Sequence, residues 1–499
     1  MMKGPDINDT LQTEGPEAVR ARHDRAHQQA RKSREKKPNG KHGDDEASHQ
    51  KKPPNDADPD VGPHFSDEAL AIRFAERHAN DLRFVAKFGK WLIWTGRHWR
   101  FDDTLHAFDM SRVICRAAAA NCNKPNMSTA IASAKTVAAV ERLAKADRRL
   151  AATSDQWDRD KWLLNTPGGV IDLRNGKTRA NSPDDYMTKM AAVSPGGACP
   201  IWRAFIDRIT GGDEELGNYL KRLFGYGLTG ITREHVLAFL YGNGANGKSV
   251  LLGTIAGIMG DYHTTAPIET FTASHVERHP TDLAGLMGAR LVTASETEEG
   301  RRWAESKIKT MTGGDRVKAR FMRQDFFEFV PQFKLVIAGN HKPGLRSVDE
   351  AIRRRLHLVP FTVTIPPAER DPELTEKLKA EWPAILQWMI DGCLDWQRDG
   401  LSPPETIKAA TTEYLNAEDS IAAWIADCCE REPLAFEATA NLYASYTGWC
   451  QRSGESPGAR KDFREKLMLK NMVEKNTSAA RGFNGLRLQM AASSDRWHS

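Results

Sequence analysis

The chain has 499 residues, 40% of them hydrophobic, and carries 71 Lys and Arg against 66 Asp and Glu. That length admits about three domains with their own cores, while a net charge of only +5 gives no bulk argument for any partner. There is no signal peptide, no run of 18 apolar residues and no C-x-x-C pair among seven scattered cysteines, so secretion, a membrane span and a zinc site are not expected and a reducing cytoplasm is.

Residues 1–62 lack apolar periodicity and are rich in charge, as in RKSREKKPNGKHGDDE from Arg31 to Glu46. Such a segment cannot bury enough apolar surface to offset its ordering entropy, so a disordered basic tail is expected. Interspersed acids favour a solvated tail over an arm that touches DNA. A first domain, residues 63–199 and of α+β type, begins with a helix over Asp67–Asn80 capped by Ser66. Two aromatic-rich runs around Thr95-Gly96 predict a β-hairpin. Its Trp91, Trp94 and Trp99 suit a small core better than a base-stacking surface. Helices follow to about Ala152, and Leu163–Thr178 reads as a second hairpin turning at Asn175-Gly176.

The central domain, residues 200–365, opens with helices over Trp202–Ile209 and Glu214–Gly225. Val236–Tyr241 is an apolar run of buried-strand length. GNGANGKS follows from Gly242 to Ser249, and Val250–Met259 continues as an apolar helix. Strand, glycine loop and helix with the spacing G-x-x-x-x-G-K-S predict a phosphate-binding loop. Backbone N–H groups of Gly242, Asn243, Gly244, Ala245, Asn246 and Gly247 can cradle phosphate oxygens where no Cβ intervenes. The helix N-terminus adds partial positive charge. Lys248 can reach the β and γ phosphates of ATP, and the Ser249 hydroxyl can ligate Mg²⁺.

Further strands are expected at Arg290–Glu296 and Phe333–Asn340. Strands alternating with helices predict a largely parallel α/β sheet, with ligands outside the strands' carboxyl ends. Glu296 would lie there as the Mg²⁺ carboxylate, with Glu298 and Glu299 as rivals, and Asn340 as a sensor of the γ phosphate. Arg353, Arg354 and Arg355 share one turn, and one of them suits an arginine finger donated to a neighbouring subunit. Between these strands, Arg316, Lys318 and Arg320 alternate with Val317 and Ala319. On a strand, that spacing puts three cations on one face. A stripe contacting single-stranded DNA and an ordinary exposed hairpin both fit it.

Residues 366–430 read as a helical linker region, with helices over Glu376–Arg398, interrupted near Pro383, and Ile407–Glu430. Residues 431–499 form a last small domain: a helix over Thr439–Ser453, a helix over Lys461–Leu469 and a hairpin near Gly482.

The series GNGANGKS, RLVTASE (Arg290–Glu296), KIKTMTGGDRVKARF (Lys307–Phe321), FKLVIAGNHKP (Phe333–Pro343) and AIRRRLHLVPF (Ala351–Phe361) resembles superfamily 3 helicases. It is most similar to the phage and plasmid primase group related to the satellite-phage P4 protein and the poxvirus D5 type. WLIWTGRHWRFD and LNTPGGVIDL resemble the domain that precedes the helicase in that group. The last segment is similar to its small winged-helix-like tail. The resemblance implies a P-loop NTPase core of AAA+-like type. It also implies an ATP- and Mg²⁺-dependent 3′–5′ DNA helicase acting as a homo-oligomeric ring, a hexamer, on single-stranded or forked DNA beside host or phage replication proteins. Carried over, the phosphate-loop pair falls on Lys248 and Ser249, the acidic residue on Glu296, the sensor on Asn340, the arginine finger on Arg354 or Arg355, and the DNA-facing hairpin near Arg316–Arg320. Ser295 stands where many relatives have a second carboxylate. No segment resembles a primase, so primer synthesis by this chain is not expected. A DNA-binding initiator or loader, in which ATP organises the ring but unwinding is weak, is the alternative.

Overall fold

The computed structural model describes residues 64–273, 281–295, 301–321, 325–345, 348–454, 457–478 and 480–489. The tail expected over residues 1–62 and the acidic candidates Glu296, Glu298 and Glu299 lie outside them.

The first helix, Asp67–Arg77, starts where Ser66 Oγ accepts the Ala69 N–H at 3.1 Å. It stops short of Asn80 because His78 O accepts the N–H groups of Asp81 and Leu82, turning the chain into a strand. Leu82–Val85, Lys90–Trp94 and Trp99–Phe101 form an antiparallel sheet, and Ala151–Ala152 adds in parallel to Leu82–Val85. The expected helical stretch therefore ends at Ala144, not Ala152. Helices His106–Ala120, Pro125–Ile131 and Ala134–Ala144 help cover one sheet face. The hairpin turns at Thr95-Gly96, with Trp94 opposite Trp99. Trp91 and Trp99 are core residues, and their indole N–H groups donate to Glu141 at 2.6 Å and to the Pro183 carbonyl at 2.8 Å.

Leu163–Thr166, Gly169–Asp172 and Lys177–Arg179 make a three-stranded meander rather than one hairpin. Its two-residue turn is Pro167-Gly168; Asn175-Gly176 ends a longer loop closed onto the Asp172 carbonyl. This meander is keyed to the next domain. The Tyr262 hydroxyl accepts the Asn165 N–H at 3.1 Å, and the buried Arg290 guanidinium donates to the carbonyls of Leu163 and Leu228 at 2.7 Å each.

The central sheet is five-stranded and parallel throughout. Its order is Leu356–Pro360, Leu237–Tyr241, Lys334–Gly339, Leu291–Ser295, His263–Thr265. The three interior strands are buried on both faces, which explains their near-continuous apolar sequences LAFLY, LVTAS and KLVIAG. Both edge strands escaped sequence reading. One is only HTT, and the other follows directly on a run of arginines.

Helices Pro200–Thr210 and Glu214–Gly227 pack in one core with Trp382–Asp399. Gly225 and Gly392 allow the latter two backbones to touch. A Cβ on Gly392 would lie 2.1 Å from the Lys221 carbonyl oxygen. Within residues 366–430, Leu378–Leu415 thus contributes to the central cores, while Ile421, Trp424 and Ile425 pack with the C-terminal helices. Pro383 sits in the first turn of its helix, where proline lacks no bond. The helix expected over Ile407–Glu430 is two helices, Glu405–Ala417 and Ser420–Cys428, parted by Asp419, which caps the second. Cys429–Ala438 is then a strand. Helices Thr439–Ser453 and Arg460–Leu469 and strands Val473–Asn476 and Arg481–Leu488 follow, with Arg481–Leu488 central in a three-stranded sheet. The last turn precedes Gly482, which lies within a strand.

Candidate nucleotide site

The loop after Leu237–Tyr241 is held on both sides. On one side, the Phe361 N–H donates to the Tyr241 carbonyl at 2.8 Å, Asn246 Nδ2 donates to the Phe361 carbonyl at 3.1 Å, and the Ile365 N–H donates to the Ala245 carbonyl at 2.8 Å. A Cβ on Gly242 would lie 2.1 Å from the Phe361 oxygen, so only glycine fits there. On the other side, a Cβ on Gly247 would meet Ile209 at 2.5 Å. Gly244, by contrast, faces open space: nothing lies within 4 Å of an added Cβ. Gly244, Ala245 and Gly247 have φ of 70°, 49° and 83°, the left-handed region. For Ala245 that costs about 1–2 kcal/mol, which the Ile365 contact helps to offset. Asn243, Ala245 and Ser249 are exposed.

Lys248 opens the helix Lys248–Met259 and is buried. Its Nζ donates to the Gly242 carbonyl at 2.7 Å, Asn246 Oδ1 at 3.0 Å and Asn340 Oδ1 at 3.4 Å. All three acceptors are uncharged. Burial alone pushes the ammonium below the usual lysine range. This is a buried cation at a helix N-terminus, beside exposed backbone, held by neutral oxygens. Its chemistry suits a polyanion.

Asn340 follows the end of Lys334–Gly339, adjacent to the loop strand, so the sheet order itself brings it to Lys248. Ser295 ends Leu291–Ser295 one strand further on, exposed at the same edge. Residues 301–303 then return to the loop after Asn340: the Trp303 N–H donates to the Gly344 carbonyl and the Gly344 N–H to the Arg301 carbonyl. The Trp303 indole donates to the Tyr414 hydroxyl at 3.2 Å, and that hydroxyl donates to the Pro343 carbonyl. Sequence reading missed this brace and the Phe361–Ile365 one. The signal for the second was the apolar run LVPFTVTI ending in two prolines.

The arginines separate. Arg355 is 8% exposed; its Nε donates to Thr312 Oγ1 at 3.2 Å and its Nη1 to the Ala351 carbonyl at 2.9 Å, and burial lowers its pKa. Arg354 is exposed and Arg353 half-buried.

Val317–Ala319 pairs antiparallel with Phe327–Phe329. Val317 and Ala319 point inward; Arg316 and Lys318 are exposed and Arg320 is half-buried. Lys318 Nζ and the Arg320 guanidinium lie 4.9 and 4.8 Å from the centroid of the same ring, Phe326, so these two do share a face. Phe326 itself is half exposed. Among the described residues, no helix is long and apolar enough to cross a membrane and no cluster of His, Cys, Asp and Glu could hold a metal.

Two family models match the chain: "D5 N terminal like" over residues 71–211, and a family of unknown function, DUF5906, over residues 240–355. Residues along the chain are 26% identical over 336 positions to "Putative helicase L207/L206" of Acanthamoeba polyphaga mimivirus, covering 61% of this chain and 34% of that protein. They are 24% identical over 270 positions to "Putative helicase 022R" of Frog virus 3, covering 49% and 27%. The chain thus spans about a third or less of these relatives. The solved C-terminal region of NrS-1 is similar at 10% identity and a TM-score of 0.48, covering 85% of this chain and 100% of that one.

Proposed function

We propose, from the premise that the chain belongs to the D5-like superfamily 3 helicase family, that it hydrolyses ATP to move 3′–5′ along single-stranded DNA as a hexameric ring. The observation that carries the reading is the buried Lys248 ammonium among neutral oxygens beside an open glycine loop. Backbone N–H groups of Gly242–Gly247 take the phosphates, and Lys248 exchanges its neutral acceptors for β and γ phosphate oxygens. Asn340, released by Lys248, is free to orient the γ phosphate or the attacking water. Ser249 and Glu296 would hold Mg²⁺, which when bound offsets charge on the β and γ phosphates. Arg354 reaches a neighbouring subunit's nucleotide and stabilises charge in the transition state; Arg355 holds the turn that carries it. Arg316, Lys318 and Arg320 meet the DNA backbone. The C-terminal order helix, strand, two helices, two strands supports a winged-helix reading of that domain.

The test is ATP turnover with and without single-stranded DNA, in the wild type and in Lys248→Ala. Strong stimulation that vanishes in the variant is expected. Wild-type turnover that ignores DNA would leave a nucleotide-organised initiator in place of a motor.

A further inference from the structure

We propose a second single-stranded DNA contact on the N-terminal domain, a platform of Phe88 and Phe101 flanked by Lys87 and Lys90. It rests on the DNA-translocating reading and adds a site to it. The tryptophans of this hairpin, expected from sequence to fill a core, are buried at Trp91 and Trp99 and half-buried at Trp94. The aromatic surface that does reach solvent is a different one.

Cross-strand neighbours share a face. Lys90 pairs with Val85 and Phe101 with Leu92, so these four lie on one face of the sheet. The helices pack on the opposite face, against Trp91 and with Phe84 and Ile93 at the margin. Trp99, Trp157 and Tyr186 pack on the first face, where Val85 and Leu92 are fully buried. On that face Phe88 and Phe101 nonetheless remain 40% and 41% exposed, with ring centroids 6.0 Å apart at 70°. Two large apolar rings left out beside a well-filled core call for an occupant.

The charges say which kind. Lys90 Nζ lies 5.5 Å from the Phe101 centroid, and Lys87 precedes Phe88 in the same turn. Lys87 and Arg159 both lie near enough to the exposed Asp155 carboxylate to favour its charged form. Asp102, next to Phe101, faces away: its Oδ1 and Oδ2 accept the N–H groups of Thr104, His106 and Ala107. Rings that stack with ammonium groups a few ångströms away match a strand whose bases are unpaired and whose phosphates follow alongside. A paired duplex offers no free base face, and a protein partner would need carboxylates opposite the lysines.

The experiment uses the full chain and a fluorescein-labelled oligo-dT. Phe88→Ala/Phe101→Ala is compared with the wild type by anisotropy, alongside DNA-free ATP turnover, thermal melting and sedimentation. Loss of one base stack should weaken binding about 5- to 150-fold, and loss of two by more, with the other three readouts unchanged. Lys87→Ala/Lys90→Ala should reduce the slope of log affinity against log salt by about 0.7 to 1.4. Unchanged affinity in both variants, with a wild type that binds DNA and is stimulated by it, would overturn the platform and leave the motor reading standing. A shift in sedimentation with unchanged DNA affinity would assign the face to a second copy and overturn it equally. A wild type that binds no DNA would sink both readings together.

Discussion

Arg354 and Arg355 are adjacent, and their removal should do opposite things. Arg355→Ala deletes two charge-assisted hydrogen bonds, to Thr312 and to the Ala351 carbonyl. At about 1.5–3 kcal/mol each these total roughly 3–6 kcal/mol. Relief of the cation's own burial returns part of that, leaving a destabilisation of about 2–4 kcal/mol. At about 2 °C per kcal/mol for a unit of this size, melting should fall by several degrees. Arg354→Ala removes an exposed side chain and should leave melting unchanged. It should instead abolish turnover while nucleotide still binds. Mixing Arg354→Ala subunits with Lys248→Ala subunits provides the decisive assay. If the arginine acts across a subunit boundary, random mixing rebuilds about a quarter of the interfaces with both groups intact. Turnover should reappear in the mixture although each parent is inactive. Turnover retained by Arg354→Ala, or lost in Arg355→Ala at unchanged melting temperature, would refute the assignment.

Two further outcomes concern the scaffold. Gly392→Ala places a methyl 2.1 Å from the Lys221 carbonyl oxygen, so the helices must part. A loss of about 3 kcal/mol or more is expected in urea unfolding, and an unchanged midpoint would mean the crossing is looser than described. His357, whose Nδ1 lies 2.8 Å from the Tyr219 hydroxyl, is pushed down by burial to about 4. The unfolded chain takes up that proton near pH 6.5 and the folded one only near 4, so stability is full above 6.5 and falls between the two. The loss reaches about 3 kcal/mol, and His357→Gln should flatten that part of the pH profile in urea titrations.

The sequence carried the interior strands and the glycine loop because their constraints are local. A buried parallel strand must be apolar at nearly every position, and a phosphate cradle must lack Cβ atoms where the backbone meets its neighbours or the ligand. His263–Thr265 was invisible because three polar residues joining a sheet edge leave no period to detect. The helices Glu405–Ala417 and Ser420–Cys428 were run together as far as Glu430, and the strand Cys429–Ala438 went unread because alternation in CEREPLAFEA is broken by Pro433 and by a register shift between Glu432 and Phe436. At the site, residue types made Lys248 and Asn340 the expected partners of one ligand. Their meeting at 3.4 Å depends on strand order, which no local pattern encodes. Arg354 and Arg355 look alike in sequence; what separates them is Thr312, a residue some forty positions earlier whose neighbourhood only the fold supplies.

The joint between the meander and the central sheet has a consequence for inheritance. Asn165 and Tyr262, and Arg290 with the Leu163 carbonyl, each place half of a buried bond on either side of residue 200. A recombination event with its breakpoint there leaves the Arg290 guanidinium short of an acceptor only if the incoming meander fails to bring a backbone carbonyl to the same place. Exchange of either stretch is thus expected to be tolerated where backbone register across the joint is kept, whatever side chains arrive with it.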